Sequence, residues 1–170
     1  DLDFRCVAQP DGALRVEAAE FAASLGADFP LGEEDSLLLL RRSGTLLGVL
    51  SMRDVGSGQL YSVLGSAETA DAVRCRATGR IRLLAGMVCL REDGALPQLL
   101  LTEALAQGLR DECGCALAAS AFLAPPGRRE LLRRNGFLPL EERGGDGPCL
   151  VDMRSPVALI RNISTTLKEP

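Results

Sequence analysis

One unit constrains the fold of this 170-residue chain more than any other. Ile81, Leu83, Ala85, Met87 and Cys89 alternate with Arg82, Leu84, Gly86 and Val88, a two-residue period that predicts a central strand over residues 80–90. A loop follows over 91–96. Pro97 suits a first helical position, where its missing N–H is not needed. Leu100, Ala104, Leu105 and Leu109 then form the apolar stripe of a helix that ends at Gly114. Residues 115–122 read as a second strand, built of small side chains. A strand, a helix and a strand in immediate succession imply local parallel pairing, because antiparallel neighbours need only a hairpin.

The rest of the chain supplies the remainder of a sheet. Residues 3–8 read as a strand and Pro10-Asp11-Gly12 as a turn. Val16, Ala19, Phe21, Ala22 and Leu25 recur at a helical period over 13–25, with Gly26 as a stop signal. After a polar loop at 28–35, residues 36–42 and 45–53 form a hairpin about Ser43-Gly44. Gly56-Ser57-Gly58 is a loop, and 59–64 is expected to be a short strand. Ser66 can cap a helix through Ala72, while 73–77 fits either helix or extended chain. Thr78-Gly79 turns into the central strand. Past Pro125-Pro126, residues 127–135 form a second late helix with Gly136 in the left-handed cap position. Strands at 137–142 and 149–154 flank a turn at 144–148. The class is α/β: a mixed sheet flanked by helices, antiparallel before Arg80 and parallel after it.

Length fits a single domain over 1–154. Residues 155–170, with apolar Val157, Leu159 and Ile160, are read as an extension: a wrapping segment, a dimer arm or a linker. A homodimer or fusion to another domain is therefore in view. The chain begins at Asp1 rather than Met, and is expected to be a processed product or a piece of a longer polypeptide.

Charge and composition exclude some classes. A net charge of −4, no Trp and a single Tyr, Tyr61, argue against nucleic acid, which calls for a basic excess and exposed aromatic platforms. No run of about 18 apolar residues is present to span a membrane. The six cysteines include one C-x-C pair, Cys113 and Cys115, no C-x-x-C, and no His to join them, so no metal site is expected. Scattered thiols in apolar stretches fit a cytoplasmic protein.

Two stretches carry a family resemblance. Leu131-Leu132-Arg133-Arg134-Asn135-Gly136-Phe137, followed by Leu138-Pro139, resembles the late helix of GNAT-superfamily acyltransferases, which ends in Gly-Phe and feeds a strand. The strand–loop–helix unit from Arg80 to Gly114 resembles the part of that fold that holds acetyl-CoA. The resemblance covers about half the chain. It implies a GNAT-like mixed sheet, an acyl-CoA donor such as acetyl-CoA, and transfer of the acyl group to an amine acceptor, whose identity, small molecule or peptide, it leaves open.

What the resemblance implies for individual residues is uneven. Met87 and Val88, at the end of the central strand, would polarise the thioester carbonyl through a backbone N–H. Cofactor contacts fall on Met87, Val88, Leu90, Gly94, Ala95, Leu96 and Gln98. The family's phosphate loop, Q/R-x-x-G-x-G/A, uses free N–H donors and a helix dipole to bind pyrophosphate. Here Asp93 stands where Gln or Arg is expected, Leu96 at the first Gly and Gln98 at the second. Glu92 and Asp93 either oppose an anion at that point or simply complement the helix dipole. The family's late-helix Tyr acid corresponds to Leu132, which cannot donate a proton. Ser120 is the catalytic candidate that remains, with Cys115 beside it, each equally readable as core. Arg74, Arg76, Arg80 and Arg82 either meet an anion such as the CoA 3′-phosphate or form a solvated strand face, and Arg128, Arg129, Arg133 and Arg134 read as a solvated helix face. Two functions follow: an acyl-CoA-dependent N-acyltransferase, or a GNAT-like domain that has lost catalysis and serves as a ligand-binding or interaction module.

Overall fold

In the computed structural model of the chain, the described residues are 1–141 and 147–154. The expected extension at 155–170 and most of the expected turn at 144–148 lie outside them.

Among the described residues seven strands form one sheet in the order β1-β2-β3-β4-β5-β7-β6. One half of the sheet is built on a hairpin of β2 (Ser36–Arg42) and β3 (Thr45–Val55). Leu37, Leu38, Leu39 and Leu40 are all fully buried, which requires cover on both faces of the sheet. Ser43 and Gly44 both take positive φ, 50° and 83°, the two-residue turn whose twist matches that of paired strands. β1 (Leu2–Val7) adds to the outer edge of β2. On the other side β3 pairs with β4 (Arg80–Cys89), and β4 pairs with β5 (Cys113–Ala118).

One face of the sheet carries α1 (Gly12–Ser24) and α3 (Ala67–Arg76). Asp11 caps α1 by accepting from the Leu14 N–H at 2.9 Å, and Ala18 and Ala22 bring the helix down onto Leu37, Leu39, Val49 and Val88. α3 is capped by Ser66 and packs Ala70 and Val73 over Ile81, Leu83, Cys115 and Leu117. The opposite face carries α4 (Leu96–Arg110) and α5 (Arg128–Arg134). Leu100, Leu101, Ala104 and Leu105 of α4 pack against Leu38, Leu40, Leu50, Leu84 and Met87.

Several expectations are corrected. The short strand expected at 59–64 is a helix, α2 (Leu60–Leu64): Leu60 and Val63 share one face against α3, and Gly65 closes the turn in the left-handed region. Among the described residues only β4 and β5 pair in parallel. β7 (Cys149–Asp152) inserts between β5 and β6 (Leu138–Pro139), so both of its pairings are antiparallel. The strand expected at 137–142 shrinks to two edge residues, where Pro139 has no N–H to give a further ladder bond. β5 ends at Ala118 rather than Phe122.

The four arginines at 74, 76, 80 and 82 do not form one strand face. Arg74 and Arg76 lie on α3. Arg82 is only 7% exposed and reaches Asp54 at 2.7 Å and Asp111 at 3.1 Å, tying the end of β3 to the turn after α4.

β4 and β5 are brought together at their starts by a close backbone approach. A methyl group on Gly114 would lie 1.7 Å from the Thr78 carbonyl oxygen, a backbone atom that cannot step aside. Gly114→Ala should therefore destabilise the fold by about 3 kcal/mol, the upper end for overpacking. Urea midpoints of the two proteins measure this, and a loss below about 1 kcal/mol would contradict the contact.

Candidate functional site

The site is a gap in the sheet. The β4–β5 ladder runs from Arg80↔Cys113 to Leu84↔Ala118 and stops. β4 continues to Cys89, still paired with β3 through Ser51↔Gly86, Leu50↔Met87, Val49↔Val88 and Gly48↔Cys89. Its other edge therefore faces no strand from Ala85 onward. The β3–β4 register shifts at this level, with Met52 opposite Leu84 and Ser51 opposite Gly86, so Ala85 is the extra residue of a β-bulge. A bulge leaves its extra residue outside the ladder and bends the strand, and bulges gather beside active sites. The consecutive small residues Ala85-Gly86 in an otherwise bulky strand were the sequence signal for it.

β5 leaves the sheet through a short 3-10 turn at Ser120–Leu123, whose Phe122 is fully buried under the gap. The gap itself holds Arg128. This side chain is 2% exposed. Its Nη1 donates to the Phe122 carbonyl at 2.9 Å, its Nη2 to the Met87 carbonyl, and its guanidinium lies 5.5 Å from the Phe122 ring centre. Glu92 receives it in a fork, 2.8 Å from Nη2 and 3.3 Å from Nε. Glu92 also accepts the Cys89 N–H at 3.2 Å. Two fixed N–H···O⁻ bonds tie the buried guanidinium to a Glu92 side chain that is itself 32% exposed.

The residues expected to contact a cofactor divide accordingly. Met87 turns its side chain into the α4 core and gives its carbonyl to Arg128. Val88 turns its side chain to the opposite face, under α1. Leu90 is 47% exposed, and its N–H is spent on the Leu47 carbonyl. Gly94 takes φ 95°, and Ala95, which opens α4, gives no side-chain cap bond. Leu96 packs onto the core. Gln98 is 1% exposed and exchanges two hydrogen bonds with Asn135, at 2.8 and 2.9 Å, so its amide links α4 to α5. Ser120 is exposed at the first position of the 3-10 turn, not on β5, and Leu132 and Cys115 are fully buried. Between the loop and α5 lies a cavity of about 120 Å³ lined by Glu92, Gly94, Pro97, Arg128 and Leu131.

Sequence reasoning missed the central pair. Arg128 read as one of four solvated arginines, and Glu92 as a helix-start acid. Nothing local distinguishes Arg128 from Arg129, because Glu92 and Arg128 stand 36 positions apart in the chain and are brought together only by the folded sheet.

This arrangement of strands is that of known enzymes. The chain superposes on FeeM, an N-acyl amino acid synthase from uncultured soil microbes, with a TM-score of 0.62 at 11% identity, covering 94% of this chain and 99% of that one. MesI, a CoA-dependent acyl-homoserine lactone synthase, gives 0.59 at 11% identity over 96% of this chain and 95% of that chain. An N-acetyltransferase from Staphylococcus aureus Mu50 gives 0.57 at 6% identity over 91% and 99%. The chain has the GNAT fold. No family model matches its sequence, and no curated protein matches it either. Identities this low establish the fold alone, so what this GNAT domain does must be argued from its own residues.

From the bulge onward one edge of β4 pairs with no strand, and its Met87 carbonyl and Cys89 N–H are taken by Arg128 and Glu92. The loop does not offer a pyrophosphate cradle: Glu92 and Asp93 bring negative charge, and the Cys89 N–H is already bonded. Cys89 itself is no nucleophile. Burial, and then the charge of Glu92, push its thiol up to about 12, so at pH 8 only roughly one part in ten thousand is thiolate. Iodoacetamide at pH 8 should modify the exposed Cys75 and spare Cys89 until denaturant is added, as read by peptide mass spectrometry. Equal labelling of both in the native protein would contradict this burial.

Proposed function

We propose that this GNAT-fold protein is an acyltransferase that moves an acyl group from a thioester to an amine. The observation that supports the reading is the parting of β4 from β5 at Leu84 and Ala118, together with the bulge at Ala85. An acyl thioester lying against the free edge of β4 would compete for main-chain groups now held by Arg128 and Glu92, the Met87 carbonyl and the Cys89 N–H. The amine nitrogen attacks the carbonyl carbon, the C–N bond forms and the C–S bond breaks. The thiol product carries the proton that the amine gives up. Alignment of the two reactants in the gap is the main contribution available, since no acid stands at Leu132.

Arg128 sets the condition for donor entry. Its guanidinium occupies the Met87 carbonyl, which a thioester arm would otherwise engage, so the donor must displace it. Acetyl-CoA and longer acyl-CoAs are the donors to try first. Titrated with acyl-CoA to about 100 times its Kd, the protein should gain about 2.7 kcal/mol of stability, an upward shift of several degrees in melting temperature. Glu92→Gln removes one negative charge from the loop and loosens the hold on Arg128. Its affinity for acyl-CoA should exceed that of the wild type at least fivefold by calorimetry. An affinity unchanged or lowered by the substitution would sink the displacement scheme.

A second reading is favoured by the same pair. With Arg128 fixed by four hydrogen bonds, the gap is also what a domain would look like after giving up catalysis for a role in binding or interaction. Absence of any acyl-CoA binding by both wild type and Glu92→Gln would select it.

A further inference from the structure

A groove of about 380 Å³ opens between α5 and the edge strand β6. Its floor is apolar, made by Phe137, Pro139 and Cys149. Its rim carries Arg129 and the pair Glu130–Arg133, bonded to each other at 2.6 Å. Beside it Leu138 is 64% exposed, more than any other large apolar side chain among the described residues. An apolar floor under a charged rim suits an amphipathic segment, and contiguous apolar surface of this kind marks a place of contact. We propose that residues 155–170 of the same chain dock here, seating Leu159 and Ile160 in the groove, and that the docked segment holds Arg128 in the gap. The second half rests on the displacement of Arg128 that the acyltransferase reading requires.

The segment has a pattern to match. Leu159, Ile160, Ile163 and Leu167 recur at intervals of three and four residues, the spacing of one helix face, and Pro156 suits a first helical position. An apolar stripe of that kind needs a surface to lie on. It also starts within reach. The Met153 N–H donates to the Gly114 carbonyl at 2.9 Å and the Arg154 N–H to Asp152 at 2.9 Å, so the chain leaves β7 at the level of Gly114. Cys149, on the groove floor, lies opposite Ala118. The two levels are about four residues of strand apart, or about 14 Å. Residues 155–158 span that distance when extended, which brings Leu159 and Ile160 to the groove. Cys149, Val151 and Met153 all join the core under α4 and α5, so the return path stays on one face of the sheet.

The groove and the gap share α5. Arg129, Glu130 and Arg133 border the groove, while Arg128 and Leu131 are buried on the inner side of the same helix. Gly127 lines the groove directly before Arg128, at φ 87°, where the chain turns into the helix. A segment seated against Gly127 and Glu130 restrains the first turn of α5, from whose other side Arg128 enters the gap. Docking and donor entry then oppose one another: what loosens the segment lowers the cost of moving Arg128.

Amide NMR of the full chain, with Leu159→Asp and Ile160→Asp introduced together, tests the docking. The double variant should shift the amides of Glu130, Arg133 and Phe137 and leave those of β2 and β3 in place. The wild-type spectrum should not change on dilution. Unmoved groove amides in the variant would overturn the docking, and groove amides that move on dilution of the wild type would overturn it in favour of a second copy. Calorimetry with acetyl-CoA tests the hold on Arg128: the double variant should bind about fivefold more tightly than the wild type, or better. Equal affinities beside shifted groove amides keep the docking and remove its hold on Arg128. Failure of both proteins to bind acetyl-CoA counts against the acyltransferase reading and removes the hold with it, while the groove amides still decide the docking.

Discussion

The guanidinium of Arg128 sits where two parallel strands cease to pair, and the arrangement around it follows from that position. Once β4 and β5 diverge, the carbonyls on the free edge of β4 need partners that a strand would have supplied. Arg128 donates to Met87 across the gap and to Phe122 on the departing chain. Its charge in turn needs a counter-ion, which Glu92 provides from the loop before α4 while also accepting from Cys89. One side chain thus fixes the end of β4, the 3-10 turn, the loop and the start of α5. A buried guanidinium without Glu92 would be costly, and Glu92 without Arg128 would be an acid beside a buried thiol.

The same constraint frames the chemistry. A split sheet with a bulge offers main-chain groups to an extended ligand, and the side chains now in the split satisfy those groups internally. Under the proposed acyltransferase reading, binding of a donor would exchange one set of hydrogen bonds for another, with a small net free energy and a strong dependence on charge in the loop.

Much of the fold could be read from residue patterns. The alternation in β4, the leucine stripe of α4, the caps at Asp11 and Ser66 and the turn at Ser43-Gly44 are local signals, because strand and helix periods and turn torsions are set by near neighbours. Reading failed where only distant packing decided. Leu60–Leu64 carries no marker separating a short strand from a helical turn until α3 is there to receive Leu60 and Val63. β7 sits between β5 and β6 because the edge of β5 is open, which no stretch of sequence records.

By itself the sequence determined the strand–helix–strand unit, the mixed sheet, and a loop before α4 that carries the acids Glu92 and Asp93, since each depends on residue type at short spacing. Tertiary structure alone decided the site. It chose Arg128 over Arg129 to enter the gap, paired it with a glutamate 36 residues away, turned Gln98 toward Asn135, and set Thr69 beside Glu141. These pairings join segments far apart in the chain, so each exists only once the sheet and its helices have assembled.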